Sequence, residues 1–233
     1  MPHQLNHLLL PEDIILLSQE REHLKELNPV DYPCAAYSPS QACMAGTCAK
    51  ILKSIDDWLH DDASPHPLLW VHGHPGSGKS AIATSVAQSL DDAGHLGASF
   101  FCKHDDERLQ DPALVMPTLV HQLALVHKGY GKAVAEALAR DPCSGPMQGA
   151  KEFKALAEQP IAQAGKPTHA SFLVMVVDAL DECGIKETCP PLLSQLVELS
   201  KLAPWLKVIV TSRTFKHISD CLKEAQADHG DYL

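Results

Sequence analysis

The chain lacks any surplus of positive charge: among 233 residues, 19 lysines and arginines stand against 29 aspartates and glutamates, a formal charge of -10. That excludes a broad electrostatic grip on nucleic acid or on an anionic membrane, leaving only a local basic patch open. No apolar run approaches the roughly 20 residues that span a bilayer. Met1 to Leu10 lacks the basic start of a secretory signal. The eight cysteines include no C-x-x-C pair and no regular spacing, so they read as reduced thiols of an intracellular, cytoplasmic protein. There is no repeat, no low-complexity tract and no G-x-S-x-G elbow of a serine hydrolase. What remains, with 45% apolar residues, is a globular sequence with enough material for a sizeable core.

Within it, Gly73-His74-Pro75-Gly76-Ser77-Gly78-Lys79-Ser80 fits the phosphate-loop pattern G-x-x-x-x-G-K-[ST] at every fixed position. Glycines and proline let successive backbone N–H groups turn inward on a phosphate, and the helix that follows, beginning with Ala81 behind the loop, brings its positive end to the same place. Lys79 adds a point charge, and the Ser80 hydroxyl suits Mg²⁺, a hard cation that prefers oxygen. The flanks agree: Leu68 to Val71 reads as a buried strand, and Ile82, Val86 and Leu90 recur at helical spacing.

Taken in order, the chain predicts a helix over Pro11 to Leu27, either a partner-binding helix or one laid on the domain's own surface. A proline-marked linker over Asn28 to Gln41 follows. These make an N-terminal appendage, residues 1–42, ahead of a domain over 43–233. A second helix carries Ile51, Ile55, Trp58 and Leu59, with Thr47 as its N-cap. Ala98 to Cys102 reads as a second strand. A helix then starts at Asp111-Pro112 and is kinked at Pro117. A short helix is expected near Lys151 to Glu158. Phe172 to Val177 is continuously apolar, as a parallel strand covered on both faces requires. Pro190 and Pro191 open another helix, and Leu206 to Thr211 makes a fourth strand ending in Ser212-Arg213.

The apolar third strand runs directly into Asp178-Ala179-Leu180-Asp181-Glu182. A phosphate loop binds a nucleotide, but hydrolysis also needs a metal ligand and a group that deprotonates water. Asp178 is placed to hold Mg²⁺, and Asp181 or Glu182 to reach the attacking water. Arg213 either contacts a γ-phosphate or is an ordinary surface arginine. The histidines at 72, 74, 121 and 127 pair with no cysteine or acid at a metal-like spacing, and Cys183 has no activating partner.

Those residues together resemble the NACHT class of signal-transducing P-loop ATPases (STAND type), most closely the nephrocystin-type N-terminal NACHT domains of fungal NLR-like proteins. The resemblance covers roughly residues 43 to 217. It rests on the phosphate loop, on Gly97-Ala98-Ser99-Phe100-Phe101, on Pro117-Thr118-Leu119 with Gln122-Leu123, on the acidic pentad with Cys183, and on Thr211-Ser212-Arg213. It implies an α/β fold with parallel strands ordered 5-1-4-3-2 and a nucleotide-driven switch acting on protein partners. The nucleotide is ATP, or else GTP, although the Asn-Lys-x-Asp signature of many GTPases is absent. Rival readings are a non-catalytic nucleotide-binding scaffold and a small-molecule kinase. Similar domains carry a Cys-Leu-Pro-Gly-Thr-Arg segment near the base. Here it reads Cys43-Met44-Ala45-Gly46-Thr47-Cys48, which implicates Gly46 and Thr47 in base contacts and replaces the arginine. Similar proteins continue into a fifth strand, so Leu68 to Val71 is expected to form an open edge that favours self-association. A helix within 218–233, carrying Ile218, Leu222 and Ala225, would shield that edge, or Asp231-Tyr232-Leu233 would pair with it.

Overall fold

A computed structural model describes residues 11–31, 37–44, 46–61, 67–141, 147, 149–184 and 189–227, giving the backbone alone for 11–17 and 223–227. Four strands, β1 (Leu68–His72), β2 (Leu96–Phe101), β3 (Leu173–Asp178) and β4 (Leu206–Ser212), form one sheet in the order β1-β4-β3-β2, every neighbour parallel. The fold is α/β, and the order matches the expected one among these four strands. β2 begins two residues earlier than the sequence predicts and ends at Phe101.

The strands are apolar on both faces because both faces are covered. Val174, Val176, Leu69, Val71 and Ile209 point into a layer with α2 (Ala49–Leu59) and α3 (Lys79–Asp92). Met175, Val177, Trp70, Val208 and Val210 point into the opposite, larger core. The helices on that side are α4 (Pro112–Val126), α5 (Lys128–Arg140), α6 (Ala150–Phe153), α7 (Gln159–Gln163), α8 (Cys189–Leu202) and α9 (Lys216–Ala227). α6 and α7 are joined by a π-helical turn, Lys154–Glu158, so the short helix predicted near residue 151 belongs to a longer helical stretch. α4 starts as read, Asp111 accepting from Ala113 N–H at 2.9 Å with Pro112 next. It continues through Pro117 to Val126.

Two side chains tie elements together in ways no local pattern announces. On β2, which ends the sheet, Gln122 of α4 accepts from Ser99 N–H at 2.7 Å and donates to Ser99 C=O at 3.0 Å. It pairs with the strand as a neighbour's backbone would, blunting an edge that would otherwise invite another chain. Lys207, the second residue of β4 and only 8% exposed, sends its ammonium to the carbonyls of Trp58 and Leu59 at 3.0 and 2.8 Å. Those are the last carbonyls of α2, where a cation meets the negative end of the helix dipole.

The N-terminal helix α1 (Pro11–Leu24) runs into a tighter turn, Lys25–Leu27. Leu24, Leu27 and Val30 enter the larger core, α1 packs on α5, and Val30 N–H donates to the Thr118 hydroxyl at 2.9 Å. Of the two readings of this helix, its described side chains follow the one laid on the domain itself; those of Ile14 and Leu17 lie outside the described residues. So does Pro33 of the predicted linker. One expectation is corrected. Thr47 does not cap α2: Cys48 occupies that position with φ +56°, and the Thr47 hydroxyl donates instead to Met44 C=O at 2.6 Å. Ile218 and Leu222 of α9 are buried against α8, while the Ala225 side chain and residues 231–233 lie outside the described residues.

Candidate functional site

The loop between β1 and α3 sits where the parallel strands end at their carboxyl side, the place where open α/β sheets gather binding groups. Gly76 and Gly78 have φ of +76° and +87°, and a Cβ at either would meet nothing. The requirement for glycine there is therefore backbone conformation rather than space. Lys79 folds back over the loop, its ammonium donating to the carbonyls of Gly73 and His74, each at 3.0 Å. A cleft of about 310 Å³ opens beside it. From the loop side it is lined by Pro75, Gly76, Gly78, Lys79, Ser80 and Ala81, and from across by Ala179, Asp181, Glu182, Thr211 and Arg213. Gly73, His74 and Ser77 support the loop without lining the cleft. Gly46 and Thr47 are exposed on the turn before α2 and do not line it either.

Asp178 ends β3 and is 3% exposed. Its carboxylate accepts the Thr211 hydroxyl and has the Ser80 hydroxyl as a neighbour. Burial pushes its pKa up, the two hydroxyl hydrogen bonds pull back, and the neighbouring Glu182 and Asp181 charges push up again. Thr211 also accepts from Ala179 N–H at 2.9 Å, fixing the backbone where Ala179 turns left-handed at φ +56°. That turn swings the next two carboxylates toward the cleft.

The two have different surroundings. The Asp181 side chain is only 4% exposed: it accepts from Arg213 N–H at 2.9 Å and pairs with the Arg213 guanidinium at 3.2 Å. Glu182, 28% exposed, meets Arg213 at 3.8 Å and His104 at 3.4 Å. Asp181 is thus fully engaged in holding the end of β4, while Glu182 keeps a face to the cleft. Arg213 is neither free nor an isolated surface residue; it bridges both acids. Cys102 and Cys183 are both buried, and the neighbouring Cys183 thiol and then burial raise the Cys102 pKa. Burial holds Cys189 at about 12. The Cys102 and Cys189 thiols stay protonated and packed.

Sequence pattern alone assigned no role to Thr211. A signal was present: Val177 pairs with Val210, so the residue after each stands at the same height, one an acid and the other a hydroxyl. His104 gave no signal, since it approaches Glu182 from a loop 78 positions away. His127, which shows no metal-like spacing in the sequence, caps α5: its Nδ1 accepts from Tyr130 N–H and its Nε2 donates to Gly165 C=O.

The comparison with known proteins agrees with this geometry. The chain is 25% identical over 178 residues to the vegetative incompatibility protein HET-E-1 of Podospora anserina, a stretch that covers 75% of this chain and 13% of that protein. It therefore spans a small fraction of that relative's length. Residues 46–213, from the turn before α2 to the arginine that bridges the acids, match the sequence model described as nephrocystin 3, N-terminal. By that match over most of its length, the chain belongs to the nephrocystin 3 N-terminal family, the NACHT-like group its motifs resemble.

Proposed function

We propose that this chain is a nucleotide-binding switch module that takes Mg²⁺–ATP, with GTP as the alternative nucleotide, and hydrolyses it. The observation that carries the reading is the meeting of the glycine loop, Lys79 and Ser80 with Asp181, Glu182 and Arg213 around one cleft at the strand ends, with Asp178 buried beside it. The donor set fits the group. Ser80 and Asp178 present a hydroxyl and a carboxylate to each other, an all-oxygen pair suited to Mg²⁺, and a buried carboxylate held above its usual pKa gains most from a cation beside it. Bound Mg²⁺ would draw charge from the phosphate oxygens during transfer.

The chain's own groups do the rest. The loop amides orient phosphate oxygens, and Lys79 exchanges its two carbonyl partners for phosphate. Glu182, the less engaged of the two acids, accepts a proton from the attacking water at its carboxylate. Asp181 acts as a positioning residue that fixes Arg213. The relative's name connects that protein with vegetative incompatibility, which supports a signalling role acting through protein partners. A second reading, binding without turnover, is favoured by the engagement of Arg213 with both acids.

Calorimetry and single-turnover assays test both. Lys79→Ala is expected to weaken Mg–ATP binding roughly ten- to a hundredfold, the worth of one charged hydrogen-bonding group. Glu182→Gln should keep affinity and slow hydrolysis by about 10²- to 10⁴-fold. Unchanged affinity in the lysine variant overturns the nucleotide site. Tight binding by the parent with no turnover establishes the scaffold reading instead.

A further inference from the structure

Between β2 and α4 the chain makes a loop, residues 102–111, that closes on itself. The Asp106 carboxylate accepts from the N–H groups of Arg108 and Leu109 at 2.9 and 3.1 Å, and Gln110 N–H donates to Asp106 C=O at 2.9 Å. Leu109, 2% exposed, anchors the loop in the larger core. Both ends are clamped to the stretch that carries the acids. Cys102 N–H donates to Asp178 C=O at 3.1 Å, and Gly184 N–H donates to Gln110 C=O at 2.7 Å.

Two side chains leave this frame in different directions. His104 Nδ1 donates to Glu182 Oε2 at 3.4 Å, while Arg213 meets the other oxygen, Oε1, at 3.8 Å. The Glu182 carboxylate is thus held through both oxygens, by groups that follow two different strands. Arg108 Nη2 donates to Pro29 C=O at 3.0 Å, and its Nη1 lies 3.7 Å from the Asp31 carboxylate. That ion pair is exposed and contributes little, so the bond to the carbonyl is the one that holds. The anchoring point is itself fixed, because Val30, between Pro29 and Asp31, is buried and bonded through its N–H to Thr118. His104 and Arg108 stand on the same closed loop, so the segment after α1 is linked to Glu182 by one short piece of ordered backbone.

We propose that His104 is a positioning residue for Glu182, and that Arg108 latches it to the segment after α1, so that this N-terminal segment sets how well Glu182 activates water. The proposal rests on the hydrolysis reading given above. A carboxylate that takes a proton from water must present one oxygen in a narrow range of directions, and a glutamate side chain left alone spreads that oxygen over several rotamers. A donor on the far oxygen narrows the spread, and misplacement of a reacting group is costly in rate. Neither His104 nor Arg108 lines the cleft, so phosphate binding does not draw on them. A protein partner that draws residues 29–31 from Arg108 releases the loop on that side alone, since the clamps at Cys102 and Gln110 remain. The device therefore tunes turnover without opening the nucleotide site.

The test uses the full chain, with steady-state Mg–ATP hydrolysis as one arm and histidine ring spectra of the nucleotide-free protein as the other. His104→Ala is expected to lower kcat by about two- to tenfold, the worth of one hydrogen bond, with KM unchanged. His104→Asn, which keeps an N–H near the place of Nδ1, should restore most of that rate. Arg108→Met keeps the stem and removes the latch, and should lower kcat in the same way. The double variant should be no slower than His104→Ala alone, because the latch acts through the histidine. In the second arm the His104 ring signals, assigned by their loss in His104→Ala, should move in Arg108→Met as they do in Glu182→Gln. Losses that multiply in the double variant, a raised KM in place of a lowered kcat, or His104 signals unmoved by Arg108→Met overturn the proposal. A parent that binds Mg–ATP without turnover refutes the hydrolysis reading, and the ring signals then decide the latch without nucleotide.

Discussion

Asp178 shows how much a single residue's setting decides. Its carboxylate is buried and its pKa is raised by that burial, against the pull of two hydroxyl hydrogen bonds. A folded-state value above the unfolded one means that the native protein binds the proton more tightly. The resulting stability is fully present below the unfolded pKa, about 3.9, and is lost as pH rises through the folded value. At neutral pH the ligand-free protein therefore holds this ionised acid at a cost. Asp178→Asn, which keeps an oxygen to accept the Thr211 and Ser80 hydroxyls, is expected to be more stable than the parent near neutrality and to lose that advantage in acid. Urea unfolding over a pH series checks this; parallel stability profiles for the two proteins would contradict it.

Among the elements, α5 is the one that pattern reading did not foresee. Its sequence carries Gly129 and Gly131, which disfavour a helix, although Tyr130, Val134 and Leu138 recur at i, i+4 and i+8 and are all fully buried. The structure supplies the reason for one glycine: a Cβ on Gly131 would stand 2.3 Å from the Ala124 carbonyl oxygen of α4. The backbones of α4 and α5 touch at this point, and only hydrogen fits between them. Gly131→Ala gains about 1 kcal/mol in helix propensity. It must also push the packed helices away from each other, an overpacking cost of typically 1–3 kcal/mol and more where the obstacle is backbone. A net loss of about 1–2 kcal/mol in chemical denaturation is expected, and a stabilised variant would show that the helices separate freely.

Across the whole molecule, the N-terminal helix belongs to the larger core rather than being attached to it. Leu27 is 1% exposed among residues of α4 and α5, and Val30 is hydrogen-bonded to α4. Leu27→Ala is expected to cost about 2–5 kcal/mol, the range for a large-to-small change in a packed core. It should leave unfolding a single transition seen alike by the tryptophans on both sides of the sheet, Trp58 and Trp205. A small effect, or an early transition confined to the helix, would make α1 an independent appendage.

Local pattern was enough to specify the strand-loop-helix unit around Lys79, because glycine spacing, apolar runs and helical period are short-range properties that few other structures satisfy. It was also enough for the buried strand ending in Asp178, since an unbroken apolar run followed by acids has few other uses in a sheet covered on both faces. Which acid keeps a face to the cleft, by contrast, was settled by the assembled fold. Asp181 and Glu182 are neighbours of the same charge, and their difference arises from Arg213, more than 30 positions later in the chain. The pairing of Lys207 with the end of α2 and of Gln122 with the edge of β2 is likewise invisible to period and composition. Each depends on side-chain direction and chain reversal, which sequence spacing does not encode; they are set only when the layers close on the sheet.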